Sequence, residues 1–128
     1  MNIDSLDHLV LTVQDIDASI AFYSAAMGMR PVSFGAGRRA LTFGSMKINL
    51  HQQGKEFEPK AQRPTAGSAD LCFITSVPLQ QVVEHLGNCK VPILEGPVQR
   101  TGATGSILSV YFRDPDGNLI EVSNRVTA

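Results

Sequence analysis

Apolar and polar positions alternate and recur in an order that predicts ten elements. Leu6 to Val13 (LDHLVLTV) is rich in branched and large apolar residues and reads as a strand. Asp15 follows as a candidate helix N-cap, and Ile16, Ile20, Tyr23 and Met27 recur at spacings of four, three and four. Gly28 suits the left-handed position that ends such a helix. Short strands are predicted near Arg30–Phe34, Ala40–Phe43 and Met46–His51, with Gly35, Gly37 and Gly44 as turns. Gln52 to Ala69 holds no sustained period and reads as a loop. The order then repeats: a strand at Asp70–Thr75 and a helix through Leu79, Val82, Val83 and Leu86, with Pro78 near its first turn. Strands follow at Val91–Leu94, Ser106–Phe112 and Asn118–Ser123. Asp114-Pro115-Asp116-Gly117 joins the last two as a turn, since Pro presets φ and Gly accepts a positive one.

The expected fold class is therefore α+β, with two tandem βαβββ modules in one domain spanning residues 1–128. Module 1 covers about residues 4–53, the linker 54–69 and module 2 about 70–124. Leu9, Leu11, Ile20, Leu71, Phe73, Val82, Ile120 and Val122 are the expected sheet–helix core.

Strand alternation also assigns chemistry to faces. Leu9, Leu11 and Val13 form one face of the first strand, which leaves His8 on the other. Ile48 and Leu50 oppose Asn49 and His51. Leu71 and Phe73 oppose Asp70 and Cys72, and Ile120 and Val122 oppose Glu121. Four strands thus place a polar group on the face that a helix does not cover. An imidazole with carboxylates from separate strands suits a divalent ion such as Zn, Ni, Mn or Fe. The candidate metal ligands are His8, Asp70, Glu121 and His51. Asn49 is the weaker donor.

Composition limits the alternatives. Hydrophobic residues make up 43% and charged residues 18%, with a net charge of -1, so nothing calls for a nucleic-acid partner. There is no basic, apolar leader at the N-terminus and no apolar run of membrane-spanning length, so a cytoplasmic chain with no membrane partner is expected. The two cysteines have no metal or redox spacing. Cys72, in LCFIT, reads as a buried small hydrophobe.

Two stretches carry a family resemblance: DHLVLTVQDIDASIAFYSAAMGMRPV (Asp7 to Val32) and YFRDPDGNLIEVSN (Tyr111 to Asn124). The chain resembles the vicinal oxygen chelate superfamily, also called the glyoxalase, bleomycin-resistance and dioxygenase superfamily. Ile48 to Ala61 and Glu95 to Gly105 are similar to its small lactoylglutathione lyase-like members. The resemblance implies two βαβββ modules in a cupped mixed sheet around a divalent metal that chelates adjacent oxygens of a small-molecule substrate. Position by position, His8 matches the first-strand ligand and Glu121 the last-strand ligand. Asp70 stands where the family usually has a second His, and Asn49 where glyoxalase I has a Glu. An amide cannot act as a base at neutral pH, and His51, two residues on along the same face, is the candidate to replace it. Glu121 and His51 are thus the candidate catalytic residues. Asn49, Arg100 and Tyr111 are the candidate substrate-binding residues, and Ser109 shares a strand face with Tyr111.

Arg100 is expected in a flexible stretch before a strand, where its planar fork could clamp a carboxylate or phosphate. His85 is expected to face solvent. Three activities remain open on these residues: a lyase or isomerase, an Fe(II) dioxygenase, and a non-catalytic drug- or metabolite-binding protein. A homodimer is expected, because two short modules leave sheet edges that pairing can cover.

Overall fold

The computed structural model describes residues 1–126. It contains strands β1 (His8–Val13), β2 (Arg30–Phe34), β3 (Arg38–Phe43), β4 (Met46–Gln52), β5 (Asp70–Ile74), β6 (Glu95–Gly102), β7 (Gly105–Arg113) and β8 (Leu119–Arg125). Helix α1 spans Ile16–Met27 and α2 spans Leu79–Asn88. The described residues divide into two compact units, residues 1–67 and residue 68 onward.

The first unit is a four-stranded sheet in the order β1-β4-β3-β2, with β1 parallel to β4 and the other pairs antiparallel. The connection between these parallel strands runs through α1, β2 and β3. Asp15 caps this helix, its side chain accepting from the Ala18 amide at 3.1 Å. Gly28 ends it at φ 66°, so that the amides of Gly28 and Met29 turn back onto the carbonyls of Ser24 and Tyr23. The buried stripe of α1 is Ser19, Tyr23 and Ala26; Ile16, Ile20 and Met27 are only half-buried. The helix is therefore turned from the face expected for Ile20. Small residues at two of the three contact positions let the backbone approach the sheet closely.

The second unit repeats the arrangement in the order β5-β8-β7-β6, with β5 parallel to β8. Pro78 leaves α2 without a side-chain cap of its own. Asn124, on β8, supplies one: its Oδ1 accepts from the Leu79 amide at 2.7 Å, and its Nδ2 donates to the Thr75 and Val77 carbonyls. The DPDG turn is tied the same way. Asn118 Nδ2 donates to Asp114 Oδ2 at 2.7 Å, and Asn118 Oδ1 accepts from the Ala69 amide at 2.8 Å, which pins the β7–β8 turn to the start of β5.

Each sheet has a helix-covered face and an open face. In the first, Leu11, Val13, Leu41, Ile48 and Leu50 are buried; in the second, Val110, Phe112, Ile120 and Val122 are. Burying each such side chain contributes about 1.5–3 kcal/mol. Of the expected core, Leu11, Ile120 and Val122 are buried, and Leu9, Leu71, Phe73 and Val82 are half-buried.

Three expectations need correction. Residues 91–94 form no strand. The strand begins at Glu95, where the Leu94 amide has already bonded to the Tyr111 carbonyl. Arg100 therefore lies inside β6 and not in a flexible stretch. Cys72 is exposed on the open face and is not a core residue, because strand alternation gives the inward positions to Leu71 and Phe73.

Candidate functional site

The open face of the second unit is the more completely built. Cys72 and Glu121 are direct partners across β5 and β8, and Tyr111 and Ser109 stand opposite Glu121 and Ser123 across β7 and β8. The side chains form a relay. Ser109 Oγ donates to Glu121 Oε2 at 2.5 Å, lies 2.6 Å from Ser123 Oγ, and Ser123 Oγ is in turn 3.4 Å from Cys72 Sγ. With each hydrogen directed the same way, the relay runs Cys72 to Ser123 to Ser109 and ends on the carboxylate. Partial burial first, and then the Glu121 charge, push the Cys72 thiol above the ordinary thiol range. It therefore stays protonated at neutral pH and can act as a donor.

Tyr111 is held from the other side. Arg100 Nε donates to Tyr111 Oη at 3.1 Å, Arg100 Nη2 to Glu95 Oε1 at 3.0 Å, and Nη1 to the Gln99 carbonyl. Desolvation raises the Tyr111 phenol; the Arg100 hydrogen bond opposes this and the nearby Glu121 carboxylate adds to it. Arg100 and Tyr111 thus form one unit fixed within the sheet. Beside it is a cavity of about 380 Å³ lined by Cys72, Ile74, Arg100, Ile107, Glu121 and Arg125, within the range that small-molecule sites occupy. Asp70 is exposed on the same face as Cys72, at the start of β5.

On the first unit, the parallel register sets His8 beside Lys47, Val10 beside Asn49, and Thr12 beside His51. His8 Nδ1 is 2.8 Å from the Asp7 carboxylate, and the side chain is 41% exposed. A carboxylate on one ring nitrogen fixes the tautomer and leaves the other nitrogen as the lone-pair donor. Asn49 and His51 are buried. Arg38 Nη2 is 3.4 Å from His51 Nε2, and Phe57 packs edge-on to the imidazole at 5.6 Å. Burial and the Arg38 charge lower the His51 pKa, and Glu56 opposes them. The ring is thus neutral, and the lone pair it would offer a metal or a proton already faces a guanidinium.

His8 is braced by Asp7, and Glu121 by the Ser109 hydroxyl, as metal-ligating side chains are. Among the described residues, no three His, Cys, Asp or Glu side chains gather as a finished ligand cluster.

Sequence reading found Glu121, Tyr111 and Arg100 but not the serine–thiol relay. Ser109, Cys72 and Ser123 share the alternation of their strands with Tyr111, Asp70 and Glu121, so their face was legible and their contact was not. Arg38 and Phe57 were missed because only the β3–β4 register and the folded linker bring them to His51. The linker lysine Lys60 is matched by Glu56 and Glu58. Among the described residues no helix is long and apolar enough to cross a membrane.

Comparison with known proteins bears on this geometry. The model of the glyoxalase/bleomycin resistance protein/dioxygenase superfamily matches residues 5–122. The virulence protein STM3117 of Salmonella typhimurium is 61% identical over 98% of this chain and 88% of its own. Its crystal structure matches with a TM-score of 0.97 over 98% of this chain and 100% of that one. A glyoxalase domain-containing protein, RDO1 of Mycosarcoma maydis, is 56% identical over 97% of this chain and 70% of its own. The metallothiol transferase FosB of Staphylococcus epidermidis is 30% identical over 95% and 82%.

Proposed function

Because the chain belongs to the glyoxalase/bleomycin resistance protein/dioxygenase superfamily, we propose that it is a metal-dependent enzyme acting on a small oxygenated substrate. Asp70 and Glu121, on the paired strands β5 and β8 of the second module, are the proposed ligands of a divalent ion, and His8 of the first module is a proposed metal ligand in its own right. His51 is left out of that set, because Arg38 faces its Nε2. The observation that carries the reading is Glu121, a carboxylate on an open sheet face whose Oε2 accepts from Ser109, a hydroxyl itself held by Ser123. A ligand whose lone pairs must point one way needs such a hold. The FosB relative is a metallothiol transferase, which supports the metal-dependent reading.

When bound, such an ion supplies Lewis acidity at the substrate oxygens. The chain's own groups do the rest. Arg100 lines the cavity and, held by Tyr111, can orient an oxygen-rich ligand. The Tyr111 hydroxyl, kept protonated, is placed to donate. Glu121 is the proposed acceptor of a substrate proton, since its charge is balanced on one oxygen only by neutral hydroxyls.

A second reading is a ligand-binding protein without chemistry. The absence, among the described residues, of a three-ligand cluster favours it. Elemental analysis of protein purified without chelator or a histidine tag separates the two. Stoichiometric metal that is lost in both His8→Ala and Glu121→Gln proteins supports the enzyme. Metal content unaltered by both substitutions sinks the ligand assignment, and a metal-free wild-type protein that still binds anions supports the second reading.

A further inference from the structure

The open face of the first module carries charge that the proposed ligand set does not use. Arg38 lies between two phenyl rings, its Cζ 5.1 Å from the centre of Phe34 and 4.8 Å from that of Phe57. Lys47 Nζ reaches the same Phe34 ring at 4.1 Å. Among the described residues neither cation has a carboxylate within ion-pair distance. Arg39, one position on and on the opposite face, is paired with Asp17 at 3.5 Å. The unpaired cations are therefore a property of this face and not of the strand.

Asn49 stands between them. On β4 it follows Lys47 by two residues and precedes His51 by two, and His51 is the contact of Arg38. Its side chain is 5% exposed and its Oδ1 has no hydrogen-bond partner. A buried carbonyl oxygen without a donor is rare in folded proteins and calls for one from outside the chain. The two cations offer the complementary half of a ligand. A guanidinium held between rings presents a planar fork of N–H groups, and an ammonium beside it adds a point charge.

We infer that Arg38 and Lys47 bind the oxyanion of a small ligand, a carboxylate or a phosphate, whose neighbouring hydroxyl donates to Asn49 Oδ1. The ligand class is thus a hydroxylated oxyanion. Aromatic bracing of Arg38 keeps the fork in place before the ligand arrives, which limits the ordering that binding must impose. This inference deepens the enzyme reading and rests on it only for the reaction, because oxyanion binding requires no metal.

The test is calorimetric titration of the purified chain, with its metal and after metal removal and dialysis. The probes are acetate, glycolate, inorganic phosphate and 2-phosphoglycolate. Saturable binding is expected in both forms, and a preference between acetate and inorganic phosphate names the oxyanion. Arg38→Met and Lys47→Met, each checked for an unchanged fold by circular dichroism, should weaken binding roughly tenfold or more and leave metal content unaltered. Asn49→Ala should abolish the advantage of glycolate over acetate and leave acetate binding as it was. Oxyanion affinity unchanged in the Lys47→Met and Arg38→Met proteins would overturn the inference, as would the absence of saturable binding to every probe. Failure of the metal reading looks different: no metal in the wild-type protein, with oxyanion binding intact.

Discussion

Ser109 decides how Glu121 can behave. Its hydroxyl sits between the carboxylate and Ser123, at 2.5 Å and 2.6 Å, and is fully buried. Ser109→Ala removes the shorter of the two contacts to Glu121 Oε2 and leaves only the 3.4 Å approach of Ser123. Loss of such an outer hydrogen bond should lower metal affinity about 10–100-fold, measured by competition with a chromogenic chelator. An unchanged affinity would mean that the relay does not orient the carboxylate. His51 makes a prediction about pH. Burial and Arg38 hold its pKa below the ordinary imidazole value of 6.5. The unfolded chain therefore takes up a proton at higher pH than the folded one does. Stability from this group is complete above pH 6.5 and is lost as the pH falls from there through the folded value. Thermal melts of the wild type and of His51→Gln should diverge in slope below that pH, with the wild type losing stability faster. Parallel curves would show that His51 titrates alike in both states.

At the scale of elements, much of the fold was legible and the reasons for the misses are physical. Caps and turns have local causes, so Asp15, Gly28 and the DPDG turn could be read directly. Strand faces have a period of two, so His8, Asn49, His51, Asp70 and Glu121 were assigned to the open face from alternation alone. Residues 91–94 look like a strand because Val91, Ile93 and Leu94 have β propensity. Pairing is not local, however, and the partner positions on β7 lie opposite Glu95 to Gly102. The cap of α2 was invisible for the same reason, since Asn124 lies 45 residues from the amide that it satisfies. Asn124→Ala should lower stability by about 1–2 kcal/mol through loss of the cap, with a further loss from the Thr75 and Val77 carbonyls, by urea unfolding. Gly96 is a second element-level test. Its φ is +106°, and an added Cβ would meet the Ser109 carbonyl at 2.3 Å. Gly96→Ala must therefore push β6 away from β7, and loss of cooperative unfolding or of soluble expression is expected. Wild-type-like melting would refute the close approach.

For the whole molecule, the repeated module raises the matter of edges. Each sheet has its first strand at an edge, β1 in one and β5 in the other, paired on one side only. Both carry an exposed branched residue on the open face: Val10 and Ile74, each 46% exposed. An edge strand with apolar side chains and unsatisfied backbone groups is a template for pairing unless something covers it. No proline interrupts either strand. We propose that a second copy of the chain provides the cover. Light scattering at micromolar concentration should then give twice the 13.8 kDa chain mass. Val10→Lys places a charge on the β1 edge and should shift the equilibrium toward single chains, and it should leave the circular dichroism spectrum unchanged because Val10 contributes nothing to the covered core. A wild-type protein that scatters only as a single chain would remove the dimer from this account. The oxyanion assignment would stand, because it rests on contacts made inside one module.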